Sequence, residues 1–197
     1  NPDEIYPLAG QSSVGLSFDQ PVETFMSIGV GTLNLLEAVR FLGAPARLYH
    51  ASSSDCFGDT GGEPATELTP FAPRSPYAVA KTAAHFEVAN YREAYKLFAC
   101  NGILFNHESP LRPKRFVTRK IVAAAARIAA GSGETLSLGN IDVARDWGNA
   151  QEYVQAMWLM LQQAAPEDYV IATGQTITLR EIVAEAFAAL GLDWQDH

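Results

Sequence analysis

Cysteine is scarce: Cys56 and Cys100 are the two in 197 residues. Neither belongs to a CxxC pair or a Cys/His cluster, so there is no basis for a disulfide framework or a zinc site, and no metal is expected. Reduced thiols fit a cytoplasmic protein. Positive charge is short as well. Lys and Arg number 14 against 22 Asp and Glu, a net charge of −8, with a pI near 4.9. Such a chain is poorly suited to follow a phosphate backbone, and no nucleic-acid partner is expected. No uninterrupted apolar run approaches the roughly 20 residues that span a bilayer, and no signal peptide opens the chain, so no membrane partner is expected. A leading Met is missing too: Asn1-Pro-Asp-Glu-Ile-Tyr6 runs straight into a strand-like segment. Both ends read as cuts through a longer protein.

What is present has an ordinary globular balance, 48% hydrophobic and 18% charged. Short apolar strands are expected at Ile5–Ala9, Arg47–Ala51, Gly102–Phe105, Thr135–Leu138 and Tyr169–Ala172. Helical spacing marks residues 23–40, 75–98, 116–130, 150–163 and 179–190. Residues 58–76, rich in Gly, Pro and Thr, read as a loop. Strands alternating with helices imply βαβ units on a parallel sheet. Ligands on such sheets bind at the carboxyl ends of the strands. Polar clusters fall there: Gly10–Ser12, Ser52–Asp55 and Asn106–Glu108.

Four constellations could do chemistry. Tyr77 and Lys81 stand at i, i+4, on one face of a helix. An ammonium near a phenol favours the phenolate, which can act as a general base toward a sugar hydroxyl. Ser53 and Asp55 offer a hydroxyl and a carboxylate at a strand end, although Ser and Asp are also common turn residues. His107, after the third strand, suits a general acid, a contact to a cofactor amide, or a structural histidine. Arg112, Lys114, Arg115, Arg119 and Lys120 suit a diphosphate or form a solvated basic face. YxxxK by itself equally describes a surface lysine beside a half-buried tyrosine. The order Ser53, Tyr77, Lys81 is more telling, because it is the arrangement of extended short-chain dehydrogenases.

Longer stretches carry a specific resemblance. Leu8-Ala-Gly-Gln-Ser12, Ser75-Pro-Tyr-Ala-Val-Ala-Lys81, Asn90-Tyr-Arg-Glu-Ala-Tyr95, Asn101-Gly-Ile-Leu-Phe-Asn-His-Glu-Ser-Pro110, Phe116-Val-Thr-Arg-Lys120 and Arg145-Asp-Trp-Gly148 resemble the GDP-mannose 4,6-dehydratases. These belong to the extended short-chain dehydrogenases, the NAD-dependent epimerase/dehydratase group. The resemblance implies an α/β fold: a Rossmann-like doubly wound parallel sheet whose N-terminal part is missing, with part of a small C-terminal substrate-binding subdomain. It implies residues 1–110 as the C-terminal portion of an NADP-binding domain. Residues 111–197 become a mixed substrate-binding region with returning Rossmann elements.

The same resemblance assigns roles. Tyr77 takes the C4 hydroxyl proton while hydride passes to NADP, and Lys81 tunes Tyr77 and holds the nicotinamide ribose. Ser53 stands where the family has threonine. Asp55 stands where it has glutamate, the base that removes the C5 proton so that water leaves from C6. Leu8, Ala9, Gly10, Gln11, Ser12, Tyr77, Lys81, His107 and Arg112 match cofactor positions. Ser53, Asn106, Lys120 and Arg145 match positions that bind a GDP-sugar. A homodimer or homotetramer is implied, with the alanines at 78, 80, 83 and 84 allowing the Tyr/Lys helix to approach its mate.

Departures define the alternatives. Asp55 is one methylene shorter than glutamate, which leaves room for an epimerase or reductase on a related nucleotide sugar. The GxxGxxG turn that cradles a pyrophosphate is missing, and Gly29-Val-Gly31 lies inside a helical pattern rather than between a strand and a helix. That absence motivates a third reading, a catalytically incompetent fragment or binding module.

Overall fold

The computed structural model describes residues 2–197. It divides into two compact units, Asn1–Phe105 with Tyr153–Ile171, and Asn106–Glu152 with Ala172–His197.

The first unit is built on a four-stranded parallel sheet in the order β1-β2-β3-β6, formed by β1 (Glu4–Ile5), β2 (Arg47–Ser53), β3 (Ala99–Leu104) and β6 (Asp168–Ile171). Every residue of β3 is buried, as on a strand covered on both faces, and its one polar side chain, Asn101, is fully buried too. On one face, Leu48 and Ala99 meet Leu36 and Val39 of α3 (Gly31–Leu42) and Val88 and Tyr91 of α4 (Pro76–Tyr95). On the other, Tyr49, Cys100 and Leu104 pack against Tyr153, Met157, Met160 and Leu161 of α6 (Ala150–Leu161). Helices on both faces make the doubly wound α/β arrangement that the family resemblance implied, on the parallel sheet that the alternating pattern implied.

Ahead of α3, α1 (Val14–Asp19) and α2 (Pro21–Phe25) lead into a π-helical segment, Met26–Val30. Residues 21–42 therefore form one helical run, and Gly43, left-handed at φ 56°, ends it. This run corrects an expectation. Over 22 residues, with a mean hydropathy of 1.3 in its best window, it is long and apolar enough by those two measures to cross a bilayer. Scattered polar residues such as Thr24, Asn34 and Glu37 hid it from a search for uninterrupted runs. Its Leu36 and Val39 are buried against the sheet and α4.

The second unit has a three-stranded sheet in the order β4-β5-β7, from β4 (Asn106–Glu108), β5 (Ala144–Asn149) and β7 (Thr176–Thr178). Its core joins Ile121, Ala125 and Ile128 of α5 (Val117–Ala129) to Leu179, Val183 and Phe187 of α7 (Leu179–Ala188). Thr178 and Glu181 close a capping box at the start of α7. Asp146 is buried and accepts from the backbone N–H groups of Thr173 (3.0 Å) and Gly174 (2.8 Å), pinning the turn before β7.

Several boundaries moved. β1 stops at Ile5 instead of continuing to Ala9, since Pro7 has no N–H to donate. The segment Thr135–Leu138 is not a strand: Leu136 bonds the His197 carbonyl, and Leu136 and Leu138 pack onto the α5–α7 core. α4 ends at Tyr95 because Lys96 turns left-handed at φ 58°. Ala78, Ala80 and Ala84 are buried within the unit, Ala80 and Ala84 beside Ile28 of the π segment, so these small residues serve a close approach inside the chain, while Ala83 is half-buried.

Gly102 shows how tightly β3 is packed. A methyl there would lie 2.7 Å from Cε2 of the fully buried Tyr49 ring. Gly102→Ala is expected to destabilise the protein by about 1–3 kcal/mol in urea unfolding, whereas a loss near zero would mean that the Tyr49 ring relaxes freely.

Candidate active site

In the first unit, the carboxyl end of β2 and the N-terminus of α4 carry the central groups. Ser53 is the last residue of β2 and caps the 3-10 turn Ser54–Phe57. Its hydroxyl accepts from the Asp55 N–H (3.3 Å) and donates to the Asp55 carboxylate (3.4 Å). Two residue types read as possible turn formers thus do make a turn, and that turn fixes Asp55 beside Ser53 with its side chain in solvent.

Ser75 caps α4 by accepting from the Ala78 N–H (3.1 Å), and Pro76 follows at the first helical position. Tyr77 is therefore in the first turn, where the positive end of the helix favours an anion. Its ring is buried against Ile28, Ala80 and Ala84. Lys81, one turn later, places Nζ 5.8 Å from the centre of that ring and donates to the Ala51 carbonyl at 2.8 Å. Burial lowers the Lys81 pKa to about 8. The same burial, with Lys81 nearby, holds His50 neutral, its pKa down at about 3.

The loop Leu8–Ser12 leaves the carboxyl end of β1. Leu8 is 61% exposed, an apolar side chain offered to solvent. Gly10 has φ 137°, a conformation that L side chains rarely adopt. Its Cα faces Ile28 of the π segment, the residue that also backs Tyr77. Gln11 donates to the buried Thr24 hydroxyl (3.1 Å) and to the Ser13 carbonyl (2.8 Å), which pins the loop. Ser12 is exposed. A bare glycine backbone, an exposed apolar side chain and a lysine at one end of a parallel sheet fit a flat, ribose-bearing cofactor.

In the second unit, Asn106 and His107 sit on β4, in register with Trp147 and Gly148. Arg112 stacks on the Phe116 ring, 3.6 Å from its centre, and pairs with Glu108 at 3.1 Å. Glu108 also accepts from the Thr118 hydroxyl (2.8 Å). Lys120 donates to the Ser137 carbonyl (2.6 Å), and the exposed Arg145 donates to the Ala144 carbonyl (2.9 Å). Arg112, Lys120 and Arg145 are thus each held by a partner in their own unit.

Sequence reasoning missed the Ala51 carbonyl and Ile28. A backbone acceptor leaves no residue-type signal. Ile28 was hidden in what reads as one regular helix, although π segments often mark functional sites.

A pH-dependent stability follows from Lys81. Between about pH 8 and 10.5 the folded state binds fewer protons at this group than the unfolded state, so its contribution to stability rises with pH across that window. The unfolding free energy of wild type minus that of Lys81→Met should climb over this range, and a flat difference would show that the ammonium is solvated.

The chain matches the family model described as GDP-mannose 4,6 dehydratase over residues 1–197. It is 54% identical over 200 residues to GDP-mannose 4,6 dehydratase 1 of Arabidopsis thaliana, covering 100% of this chain and 55% of that relative. It is 53% identical to the GDP-mannose 4,6 dehydratase of Homo sapiens, covering 96% of this chain and 52% of that relative. The chain thus spans about half the length of the curated relatives it matches. Among solved structures, RMD from Pseudomonas aeruginosa complexed with NADPH superposes with a TM-score of 0.92 at 29% identity, over 98% of this chain and 67% of that one. The dTDP-glucose 4,6-dehydratase DesIV of Streptomyces venezuelae, with NAD bound, gives 0.89 at 26% identity, over 98% and 59%. Matched along its whole length, the chain belongs to the GDP-mannose 4,6-dehydratase family.

Proposed function

We propose that the protein carrying this chain is a nucleotide-sugar 4,6-dehydratase that converts GDP-mannose to the 4-keto-6-deoxy sugar. The observation that carries the reading is the Tyr77–Lys81 pair, with the Lys81 ammonium 5.8 Å from the Tyr77 ring and anchored on Ala51. A nicotinamide cofactor supplies hydride uptake and return when bound. NADP is favoured over NAD because the solved relative RMD holds NADPH. Leu8, Ala9, Gly10, Gln11 and Ser12 are the residues proposed to line it in the first unit, with Tyr77 and Lys81. In the second unit His107 and Arg112 are assigned to the cofactor by family relation.

The chain's own groups divide the work. Tyr77 receives the proton of the sugar C4 hydroxyl, and Lys81 favours the phenolate that does so. Ser53, whose hydroxyl is held at the strand end, hydrogen-bonds the resulting C4 oxygen. Asp55 takes the proton from C5, made acidic by the neighbouring ketone, and that proton passes to the departing C6 hydroxyl, which leaves as water; when hydride returns to C6, a solvent proton relayed by Asp55 goes to C5. Asn106, Lys120 and Arg145 are assigned to the GDP-sugar by family relation. Residues 1–110 are proposed as the C-terminal portion of the cofactor-binding domain, which also presents Ser53, Asp55 and Asn106 to the sugar, and residues 111–197 as a mixed region that adds Lys120 and Arg145 for the substrate and Arg112 for the cofactor.

Two further assignments rest on the same reading. Exposed apolar side chains on α1–α4, such as Phe18, Phe25, Met26 and Val79, suit burial against a second copy, so a homodimer or homotetramer is proposed. Two buried, unpaired cysteines suit a cytoplasmic location.

The full-length protein, given cofactor and GDP-mannose, should yield a product whose NMR spectrum has lost the C6 hydroxyl. Tyr77→Phe is expected to lower turnover at least ~100-fold. Asp55→Asn should still reduce the nicotinamide yet release no dehydrated sugar. A C4-inverted sugar that keeps its C6 hydroxyl would replace this reading with an epimerase.

A further inference from the structure

Beneath the Tyr77–Lys81 helix lies a layer of buried polar groups that the proposed reaction does not use. His85, one turn beyond Lys81 on α4, is 6% exposed. Its Nδ1 shares a hydrogen bond with the Ser52 hydroxyl of β2 at 3.2 Å. Its Nε2 faces Oδ2 of Asp168 on β6 at 3.4 Å. Its backbone carbonyl accepts from Asn101 Nδ2 on β3 at 3.1 Å. Asn101 also donates to Asp168 Oδ1 (2.9 Å), so its own Oδ1 is left to accept from His50 Nδ1 (2.8 Å). Arg92, further along α4, donates to Asp168 Oδ1 (2.8 Å) and to the Ala99 carbonyl (3.2 Å). Burial by itself would raise the Asp168 pKa. Hydrogen bonds from His85, Arg92 and Asn101 overcome this and hold the carboxyl well below the usual range.

Carboxylate, imidazole and hydroxyl follow one another here in the order of a hydrolase triad. Ser52 is 3% exposed, however, so no substrate reaches it. What the chain does connect is α4 to strands β2, β3 and β6. Ala78, Ala80, Ala84 and Val88, also buried on α4, have apolar side chains, and the Ala78 carbonyl accepts from Cys56 Sγ at 3.9 Å. Apolar contacts are non-directional and tolerate small sliding, whereas hydrogen bonds specify distance and angle. Along α4, the polar links to the sheet are Lys81 to Ala51, the His85 side chain to Ser52 and Asp168, Asn101 to the His85 carbonyl, and Arg92 to Asp168 and Ala99. His85 is the middle one, about 5.4 Å of helix from Lys81.

We infer that His85, held between Asp168 and Ser52, is a positioning residue that sets the register of α4 on the sheet and thereby keeps the Lys81 ammonium on the Ala51 carbonyl beneath Tyr77. Ser52 lies between Ala51, which holds Lys81, and Ser53, which holds Asp55, so one buried hydrogen bond ties the helix to the strand end at the place where the reacting groups diverge. The titratable groups facing Lys81 are His50 from β2, Cys56 from the 3-10 turn, and Tyr77 from its own helix, with His85 the next turn along.

The inference rests on the dehydratase reading for its rate measurement alone. In the full-length protein, His85→Ala is expected to slow nicotinamide reduction on the order of tenfold at saturating GDP-mannose with KM unchanged, because reactive geometry tolerates little displacement. His85→Gln, which keeps a donor at the reach of Nε2, should restore most of that rate. A second measurement is the titration midpoint of the Lys81 ammonium, followed by NMR with Lys81→Arg to assign the signal. It should move from about 8 toward 10.5 in His85→Ala as water enters. A folded His85→Ala protein with the wild-type midpoint overturns the inference, as does a glutamine variant that is as slow as alanine. If His85→Ala does not fold, Ser52→Ala removes only the hydroxyl and carries the same two readings. If the wild-type protein reduces no nicotinamide, the functional reading fails, and the midpoint alone decides whether His85 seats Lys81.

Discussion

The Lys81 ammonium on the Ala51 carbonyl joins the long helix α4 to the central strand β2 at 2.8 Å. Much of the arrangement serves to hold that half-buried charge in one place. An ammonium loses hydration when buried, and the lowered pKa of Lys81 records the cost. The carbonyl of β2 offsets part of it, and the Tyr77 ring covers the ammonium from above. Ser75 and Pro76 fix the start of α4, so that Tyr77 lies in the first turn and Lys81 in the second. The π segment Met26–Val30 places Ile28 against Tyr77, and the same residue backs the Gly10 loop. One contact thus has supports in helix, strand and loop.

The sequence made the architecture legible where its signals are local. The strand expected at Arg47–Ala51 forms and runs on to Ser53, and Ser75-Pro76 announced the start of α4. Segments whose structure depends on partners were not legible. β4, β5 and β7 carry polar residues such as Asn106, Asp146 and Thr176, and are strands because each finds the other across the sheet. Thr135–Leu138 has strand-like composition but finds no ladder. Of the candidate site, Tyr77, Lys81, Ser53 and Asp55 could be named from motif and resemblance. The groups that hold them could not. Ala51 acts through its backbone, and His50, His85 and Asn101 look like stray polar residues in apolar segments until the fold stacks them into one layer.

The two carboxylates of the first unit illustrate how environment divides roles. Asp168 is enclosed by three donors and kept ionised, which makes it a fixed part of the framework. Asp55 lies in solvent on a short turn, within reach of the Ser53 hydroxyl at 3.4 Å. Exposure lets a carboxylate exchange protons, which suits the role proposed for Asp55 as the base toward C5. The shorter arm of Asp55 relative to glutamate places the burden of alignment on the turn that Ser53 caps.

The central claim is that one sugar is oxidised at C4, dehydrated, and then reduced at C6 without its hydride leaving the site. Full-length protein supplied with GDP-mannose deuterated at C4 tests this most directly. The account predicts that the deuterium appears at C6 of the product. A product with deuterium lost to solvent, or returned to C4, would contradict it.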